Sequence, residues 1–217
     1  MFIHQHPYQP FIPKGATKLI IGTLPPPRFT IGEFKEGDVD FCYGSRNGYL
    51  WPILDRIFDL RLKFETTQEA IEQRKEFLCK YNIGICDIVE KAHRERIDAS
   101  DLGMQQIELR NMLAILTDYT TIDTLLFMGG NSKNGPEYFF RKHLKKTGLL
   151  LKEVSSKVPR VYEFELMGRL IKTVSLTSPS GAANRAVGAL PEYKQMKKEN
   201  PETNTLDFRV IQYSKFF

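Results

Sequence analysis

Short runs of consecutive apolar residues, each closed by a turn signal, restrict the fold of this chain more than any other feature of its sequence. The clearest runs are Leu19–Ile21, Ile83–Val89 and Leu125–Met128. Such runs are typical of strands that are buried on both faces of a parallel sheet. Segments with helical periodicity lie between them. The sequence therefore predicts one α/β domain over residues 1–217, a three-layer αβα arrangement with a mostly parallel central sheet.

Start signals for helices mark the segments between these strands. Helical spacing begins near Trp51, and Pro136 is a favourable first residue for another helix that ends near Lys146. Thr66 with Glu69 forms the pattern of a capping box, which predicts a helix from there to about Tyr81.

Three further elements are expected outside these segments. They are an amphipathic helix over Met104–Leu116, a hairpin that turns at Met167 and Gly168, and a Ser- and Gly-rich loop over Thr177–Asn184. The N-terminal residues, with His4 and His6, are expected to be mobile and solvated.

Cysteine usage and hydropathy exclude several classes of protein. The three cysteines, Cys42, Cys79 and Cys86, form no CxxC pair and no disulfide framework, so the sequence predicts a reducing compartment and neither a structural zinc site nor a four-cysteine iron–sulfur cluster. The polar N-terminus predicts no signal peptide, and no apolar run approaches the roughly 20 residues of a membrane helix. We therefore expect a cytoplasmic monomer without a membrane partner.

Polar and glycine-containing segments follow the carboxyl ends of the predicted strands, where parallel sheets bind ligands. These segments are Gly22–Pro27, Asp87, Gly129–Asn131 and Thr177–Gly181. The patterns GxGxxG, GxxxxGK[ST] and GxSxG are absent, which argues against a dinucleotide fold, a P-loop and an α/β-hydrolase.

The order of these segments resembles a known family. A turn, Gly22–Pro25, follows the first strand; an aromatic loop, Phe41–Asn47, leads into a helix start at Tyr49–Leu54; and a Pro-Ser loop, Thr177–Asn184, follows the last core strand. The chain resembles the uracil-DNA glycosylase superfamily, most closely its hypoxanthine-DNA glycosylase-like branch. The segments Ile83–Val89 and 94–98 also resemble that branch.

The resemblance implies roles for individual residues. Tyr43 or Phe41 would stack on a flipped base, and Asn47 would contact the base or position water. Asp87 corresponds to a recurring acid and is a candidate catalytic residue, with orientation of a loop by hydrogen bonds as the alternative. The Gly22–Pro25 turn, with Thr23 and Leu24, would shape the pocket floor. The DNA backbone would be gripped by Thr177, Ser178, Pro179, Ser180, Gly181 and Asn184. Core packing is the alternative for the two aromatic residues, and helix capping is the alternative for Ser178 and Ser180.

Three hypotheses follow from these residues. The first is a DNA glycosylase that removes uracil or hypoxanthine without a cofactor. The second is a catalytically silent nucleic-acid-binding or damage-sensing module, since Leu24 replaces the Asp or Asn of many superfamily members. The third is an enzyme that acts on free nucleosides or nucleotides. The net charge of +5 permits DNA as a partner, and residues 133–172 alone carry an excess of +6.

Overall fold

The computed structural model describes residues 1–95, 101–130 and 132–217. In chain order its strands are β1 (Phe2–Gln5), β2 (Lys18–Gly22), β3 (Ile83–Asp87), β4 (Val89–Arg94), β5 (Gln105–Leu109), β6 (Thr124–Phe127), β7 (Lys152–Ser155), β8 (Arg160–Leu166) and β9 (Arg169–Ser175). Its α-helices are α1 (Pro27–Thr30), α2 (Leu50–Phe58), α3 (Gln68–Lys80), α4 (Met112–Asp118), α5 (Pro136–Thr147), α6 (Asn184–Ala189), α7 (Pro191–Glu199) and α8 (Thr205–Tyr213). Two short 3₁₀ turns are Asp101–Gly103 and Gly181–Ala183.

The larger sheet has six strands in the order β3-β2-β6-β9-β8-β7. The first four are parallel, while β8 and β7 run antiparallel. Gly22 lies opposite Asp87, and Phe127 lies opposite Ser175. The carboxyl ends of all four parallel strands therefore meet at one edge. The prediction of an α/β fold with a mostly parallel sheet is confirmed, and the sheet is mixed.

A hydrophobic core covers each face of this sheet. Along β2, Ile20 belongs to one core, while Leu19 and Ile21 belong to the other. Helices α2, α3 and α8 contribute buried residues to the first core, and α4 and α5 contribute to the second. Because strand side chains alternate between faces, a continuously apolar run needs helices on both sides.

A second, antiparallel sheet of order β1-β4-β5 corrects two expectations. The predicted helix over Met104–Leu116 is wrong, since Gln105–Leu109 forms β5 and α4 begins at Met112. The predicted strand Ile83–Val89 ends at Asp87, and Val89 begins β4. The reason is pairing with a partner: Val89 in β4 lies opposite Leu109 in β5, which local periodicity does not reveal.

The N-terminus is ordered by the same sheet, so the expectation of a mobile terminus is wrong. β1 pairs with β4, and His4 and His6 are buried. Arg94 donates from Nε to His4 Nδ1 at 2.8 Å. Burial first, then Arg94 and His6, lowers the pKa of His4 to about 4, so this imidazole is neutral at pH 7.

Other local predictions hold with small shifts. Pro136 begins α5, and Met167 and Gly168 form the turn between β8 and β9 with positive φ. The N-cap of α3 is Thr67 and not Thr66, because the Thr67 hydroxyl accepts from the Ala70 amide. No helix in the described part of the chain is long and apolar enough to cross a membrane.

Candidate functional site

The centre of the candidate site is the point where β2 and β3 end side by side. Asp87 is 5 % exposed and lies opposite Gly22. A methyl group built on Gly22 would collide with Asp87 Oδ1 and with the Tyr43 hydroxyl. Only glycine therefore allows the carboxylate and the phenol to approach the strand end together.

A buried histidine from the N-terminus holds one oxygen of Asp87. His6 Nε2 lies 2.8 Å from Asp87 Oδ2, and His6 Nδ1 accepts from the Tyr8 amide at 3.0 Å. Because Nδ1 is an acceptor, Nε2 carries a proton and donates it to Asp87 Oδ2. Among the described residues Asp87 Oδ1 has no hydrogen-bond partner. One carboxylate oxygen is oriented while the other stays available.

Tyr43 covers this carboxylate from the aromatic loop (Phe41–Asn47). Its backbone is left-handed, with a φ of 58°, and its side chain is half-buried. Burial first, and then the charge of Asp87, raises the pKa of the Tyr43 phenol well above its usual value. Tyr43 is therefore a neutral hydroxyl that can donate.

Phe41 has a different environment from Tyr43. It is 6 % exposed and packs against Phe11 and Trp51, with ring centroids 6.0 and 6.2 Å away. Trp51 donates from Nε1 to the Cys42 carbonyl at 2.8 Å, which ties the loop to α2. Phe41 thus takes the core-packing alternative, and Tyr43 is the aromatic residue at the strand ends.

A second acid lies beside the Gly22 turn (Gly22–Pro25). The Thr23 hydroxyl donates to Asp101 Oδ1 at 3.0 Å. Burial raises the pKa of Asp101 to about 6, against the lowering effects of Thr23 and Arg94, and the charge of Asp87 adds to the increase. Sequence reasoning did not single out Asp101, since it follows a polar connection without a motif.

Leu24 and Pro25 complete the turn. Leu24 is half-buried and packs against the second core, so no polar side chain stands at this position. Pro25 is half-buried as well. Both residues shape the turn without supplying a proton donor or acceptor from their side chains.

The aromatic loop is held by a buried carboxylate below it. Asp38 accepts two hydrogen bonds from the Arg28 guanidinium, and one each from the Arg46 and Lys35 amides. Burial alone would raise the pKa of Asp38, but these hydrogen bonds hold it below its usual value. Asp38 therefore shapes the loop, and its two carboxylate oxygens already accept four hydrogen bonds from within the protein.

The Pro-Ser loop (Thr177–Asn184) is fixed from below by α8. Arg209 is fully buried and donates to the carbonyls of Ser178 and Ser180 and to Asn184 Oδ1. Gln212 Oε1 accepts from both the amide and the hydroxyl of Thr177. The side chains of Thr177 and Asn184 are consequently engaged inside the protein.

The outer surface of this loop carries the remaining polar groups. Ser180 accepts from the Ala182 amide and caps the short 3₁₀ turn, as its capping alternative predicts. Gly181 is exposed, Ser178 is half-buried and Pro179 is buried. The groups available to a ligand are the Ser178 hydroxyl and the exposed backbone near Gly181.

The structure brings the aromatic and Pro-Ser loops together. The Tyr49 amide donates to the Pro179 carbonyl at 2.8 Å, and Gly48 forms an antiparallel bridge with Ser180. The Arg209 guanidinium lies 5.5 Å from the centre of the Tyr49 ring. Segments far apart in sequence thus form one continuous rim.

Asn47 lies on the exposed side of this rim. Its amide N–H is 3.4 Å from Ser45 Oγ, and within the described residues its side chain makes no hydrogen bond. Its neighbours Arg46 and Gly48 line an open depression of about 470 Å³. The Asn47 side chain is therefore accessible to a ligand, and no hydrogen bond to the described residues orients it.

The basic stretch of residues 133–172 does not form a single face. Arg141 and Arg160 both pair with the buried carboxylate of Glu137, at 2.7 and 3.1 Å. Arg169 donates to three carbonyls around the end of α4, at the opposite edge of the sheet. The net excess of +6 therefore overstates the charge available at the site. Asn131 and residues 96–98, which the sequence analysis included, lie outside the described residues.

Within ranges 1–95, 101–130 and 132–217, no group of three His, Cys, Asp or Glu side chains is arranged to hold a metal ion. The site instead offers a carboxylate, an imidazole, a phenol and backbone amides. Neither a protein-family model nor a curated protein matches the sequence.

Proposed function

We propose that this chain is a DNA glycosylase with a uracil-DNA glycosylase-like fold, and that it removes uracil or hypoxanthine from DNA. The Gly22 turn, the aromatic loop and the Pro-Ser loop surround the carboxyl ends of parallel strands, in the chain order of that superfamily. The observation that carries the proposal is the buried Asp87 Oδ1, which lacks a partner among the described residues and lies beneath Tyr43.

The reaction requires an acceptor for a proton at that position. Water attacks the sugar C1′ while the bond to the base nitrogen breaks, and its electron pair leaves with the base. Asp87 Oδ1 accepts the water proton and stabilises the positive charge that develops on the sugar. The proton then passes to the departing base or to solvent, which restores the carboxylate.

His6 acts on this step through Asp87 and is a positioning residue. Its Nε2–H holds Oδ2, so that Oδ1 faces the Gly22 turn. A glutamine at this position retains an N–H donor, whereas alanine removes it. We expect His6→Gln to keep more of the activity than His6→Ala, and a purely structural role would not separate the two at equal folded population.

The remaining groups bind the flipped nucleotide. The exposed part of Tyr43 offers an aromatic face, and the Ser178 hydroxyl with the backbone at Gly181 offers donors for phosphate oxygens. Asn47, on the rim, would contact the base or a neighbouring nucleotide. Thr177 and Asn184 support the loop from inside.

The packing of Leu24 favours one second candidate, a catalytically silent DNA-binding module. The side chain packs against the core at the position where many superfamily members have a polar residue. Such a module would bind DNA with a steep salt dependence and release no base.

The test is incubation of the purified protein with oligonucleotides containing uracil, hypoxanthine or normal bases only. We expect alkali-labile abasic sites with uracil or hypoxanthine, and none with normal bases. Binding without abasic product supports the silent module. Release of base from free nucleosides, with no action on the oligonucleotides, contradicts the proposal in favour of a nucleoside enzyme.

A further inference from the structure

A groove of about 430 Å³ lies between the outer strand β5 and helix α5, beside the candidate site. From the strand side it is lined by Gln105 and Gln106. From the helix side it is lined by Tyr138, Lys142, His143 and Lys146. None of the described residues that line it is acidic.

The basic residues of α5 are divided between two environments. Arg141 is directed to Glu137 and to the Tyr162 ring, 4.1 Å from its centre, whereas Lys142 and Lys146 are exposed in the groove. Tyr138, Lys142 and Lys146 are spaced by four residues and share one helix face, about 6 Å apart along the axis at each step. The face is therefore a row of one aromatic ring and two cations.

His143 adds a polar group without a partner. Its Nε2 is buried and has no hydrogen-bond partner among the described residues. Burial, followed by the charge of Lys146, lowers the pKa of His143, so the ring is neutral and can donate or accept. On the opposite wall Gln106 has a φ of 44°, a left-handed conformation that is costly for this residue type and that recurs at binding sites.

Hydrogen bonds link the groove to the candidate site. Asn134, which lines it, donates from Nδ2 to the Asp101 carbonyl at 2.9 Å. Asp101 in turn accepts from Thr23 in the Gly22 turn. Asp101 therefore lies between the Gly22 turn and a residue that lines the groove.

We infer that this groove binds the single-stranded DNA that continues from the flipped nucleotide. Cations that follow a backbone, together with an aromatic ring on which a base can stack, are the usual means of binding single strands without sequence preference. The inference rests on the proposed function for its partner, DNA, and not on catalysis.

The experiment is fluorescence anisotropy with a labelled, undamaged single-stranded 20-mer across a salt series. Lys142→Ala/Lys146→Ala should weaken binding by at least tenfold at low salt and reduce the salt slope by about 1.4, because each phosphate contact contributes about 0.7. Lys145→Ala/Lys152→Ala is the matched control: it removes the same charge from exposed positions outside the groove and should change the affinity less than about twofold. Circular dichroism confirms that each variant is folded.

Three results would overturn the inference. They are equal weakening by the two double variants, an unchanged salt slope in the groove variant, and a groove that binds an acidic peptide but no DNA. The proposed function fails separately: wild-type protein that binds DNA through the groove but releases no base leaves the inference standing. If the groove variant releases base and binds DNA as tightly as wild type, the proposed function is supported and the groove is not the DNA-binding site.

Discussion

The Pro-Ser loop and the Gly22 turn lie on the same rim but differ in how their polar groups are satisfied. Six hydrogen bonds join the Pro-Ser loop to α8, through the side chains of Arg209, Gln212 and Tyr213. At the Gly22 turn, by contrast, Asp87 keeps a buried oxygen without a partner in the described structure, and the pKa of Asp101 is raised by burial. The loop is thus a scaffold whose polar groups add stability, whereas the turn holds polar groups at a cost in stability. Such a cost is typical of a site arranged for function.

The largest effect on stability is expected when the support of the Pro-Ser loop by Arg209 is removed. Arg209→Met leaves the Ser178 carbonyl without its donor and removes one of the two donors from the Ser180 carbonyl and from Asn184 Oδ1. It should lower the free energy of unfolding by about 3–5 kcal/mol. Arg185→Met, at an exposed position of α6, is the control and should change it by less than about 0.5 kcal/mol. Urea denaturation measures both. Equal stability of the two variants would contradict the claim that the hydrogen bonds to the Pro-Ser loop add stability.

Removing the charge of Asp101, beside the Gly22 turn, should instead increase the stability of the protein. The raised pKa of Asp101 means that the folded state binds the proton more tightly, so this group reduces stability as pH rises from 3.8 to about 6. Asp101→Asn should therefore be more stable than wild type by up to about 3 kcal/mol above pH 6, and equal to it below pH 4. Thermal unfolding across pH measures the difference. A difference that grows towards low pH would contradict the assignment.

A methyl group at Gly22 should reduce both the stability and the activity of the protein. Gly22→Ala forces the Tyr43 hydroxyl and Asp87 Oδ1 away from the end of β2, which should cost about 1–3 kcal/mol of stability and most of the base-release activity. Gly188→Ala is the matched control, because a methyl group there meets nothing within 4 Å and an alanine favours the helix by about 0.5–1 kcal/mol. Wild-type activity in Gly22→Ala would show that the reaction takes place elsewhere.

The smallest effect is expected at Asn47. Its side chain is exposed and makes no hydrogen bond to the described residues, so Asn47→Ala should change stability by less than about 0.5 kcal/mol. We expect a decrease in kcat/KM of less than about tenfold, through KM, because the residue meets substrate at the rim. A fall in kcat of more than about 100-fold would instead assign water positioning to Asn47.

The sequence predicts the parts of this molecule whose signals are local. The apolar runs predict β2, β3 and β6, and Pro136 predicts the start of α5, because burial on both faces and helix initiation depend on neighbouring residues. The strand ends then indicate where the turn, the aromatic loop and the Pro-Ser loop lie.

The missed parts depend on contacts between distant segments. His6 reaches Asp87 only because β1 pairs with β4, and Gln105–Leu109 forms a strand only beside β4. Helix α8, which carries Arg209, did have a local signal. Asn204 and Asp207 form a capping box that marks its start, and this pattern could have directed attention to the support of the Pro-Ser loop.

The central claim is that Asp87 is the proton acceptor of a base-release reaction. The most direct measurement is the single-turnover rate of abasic-site formation by Asp87→Asn and wild type, on the substrate that wild type prefers. The amide keeps the shape and can still accept from His6, so we expect unfolding free energies within about 1 kcal/mol of each other. The rate should fall by about 10²–10⁴-fold. A rate equal to that of wild type, at equal folded population, would contradict the account.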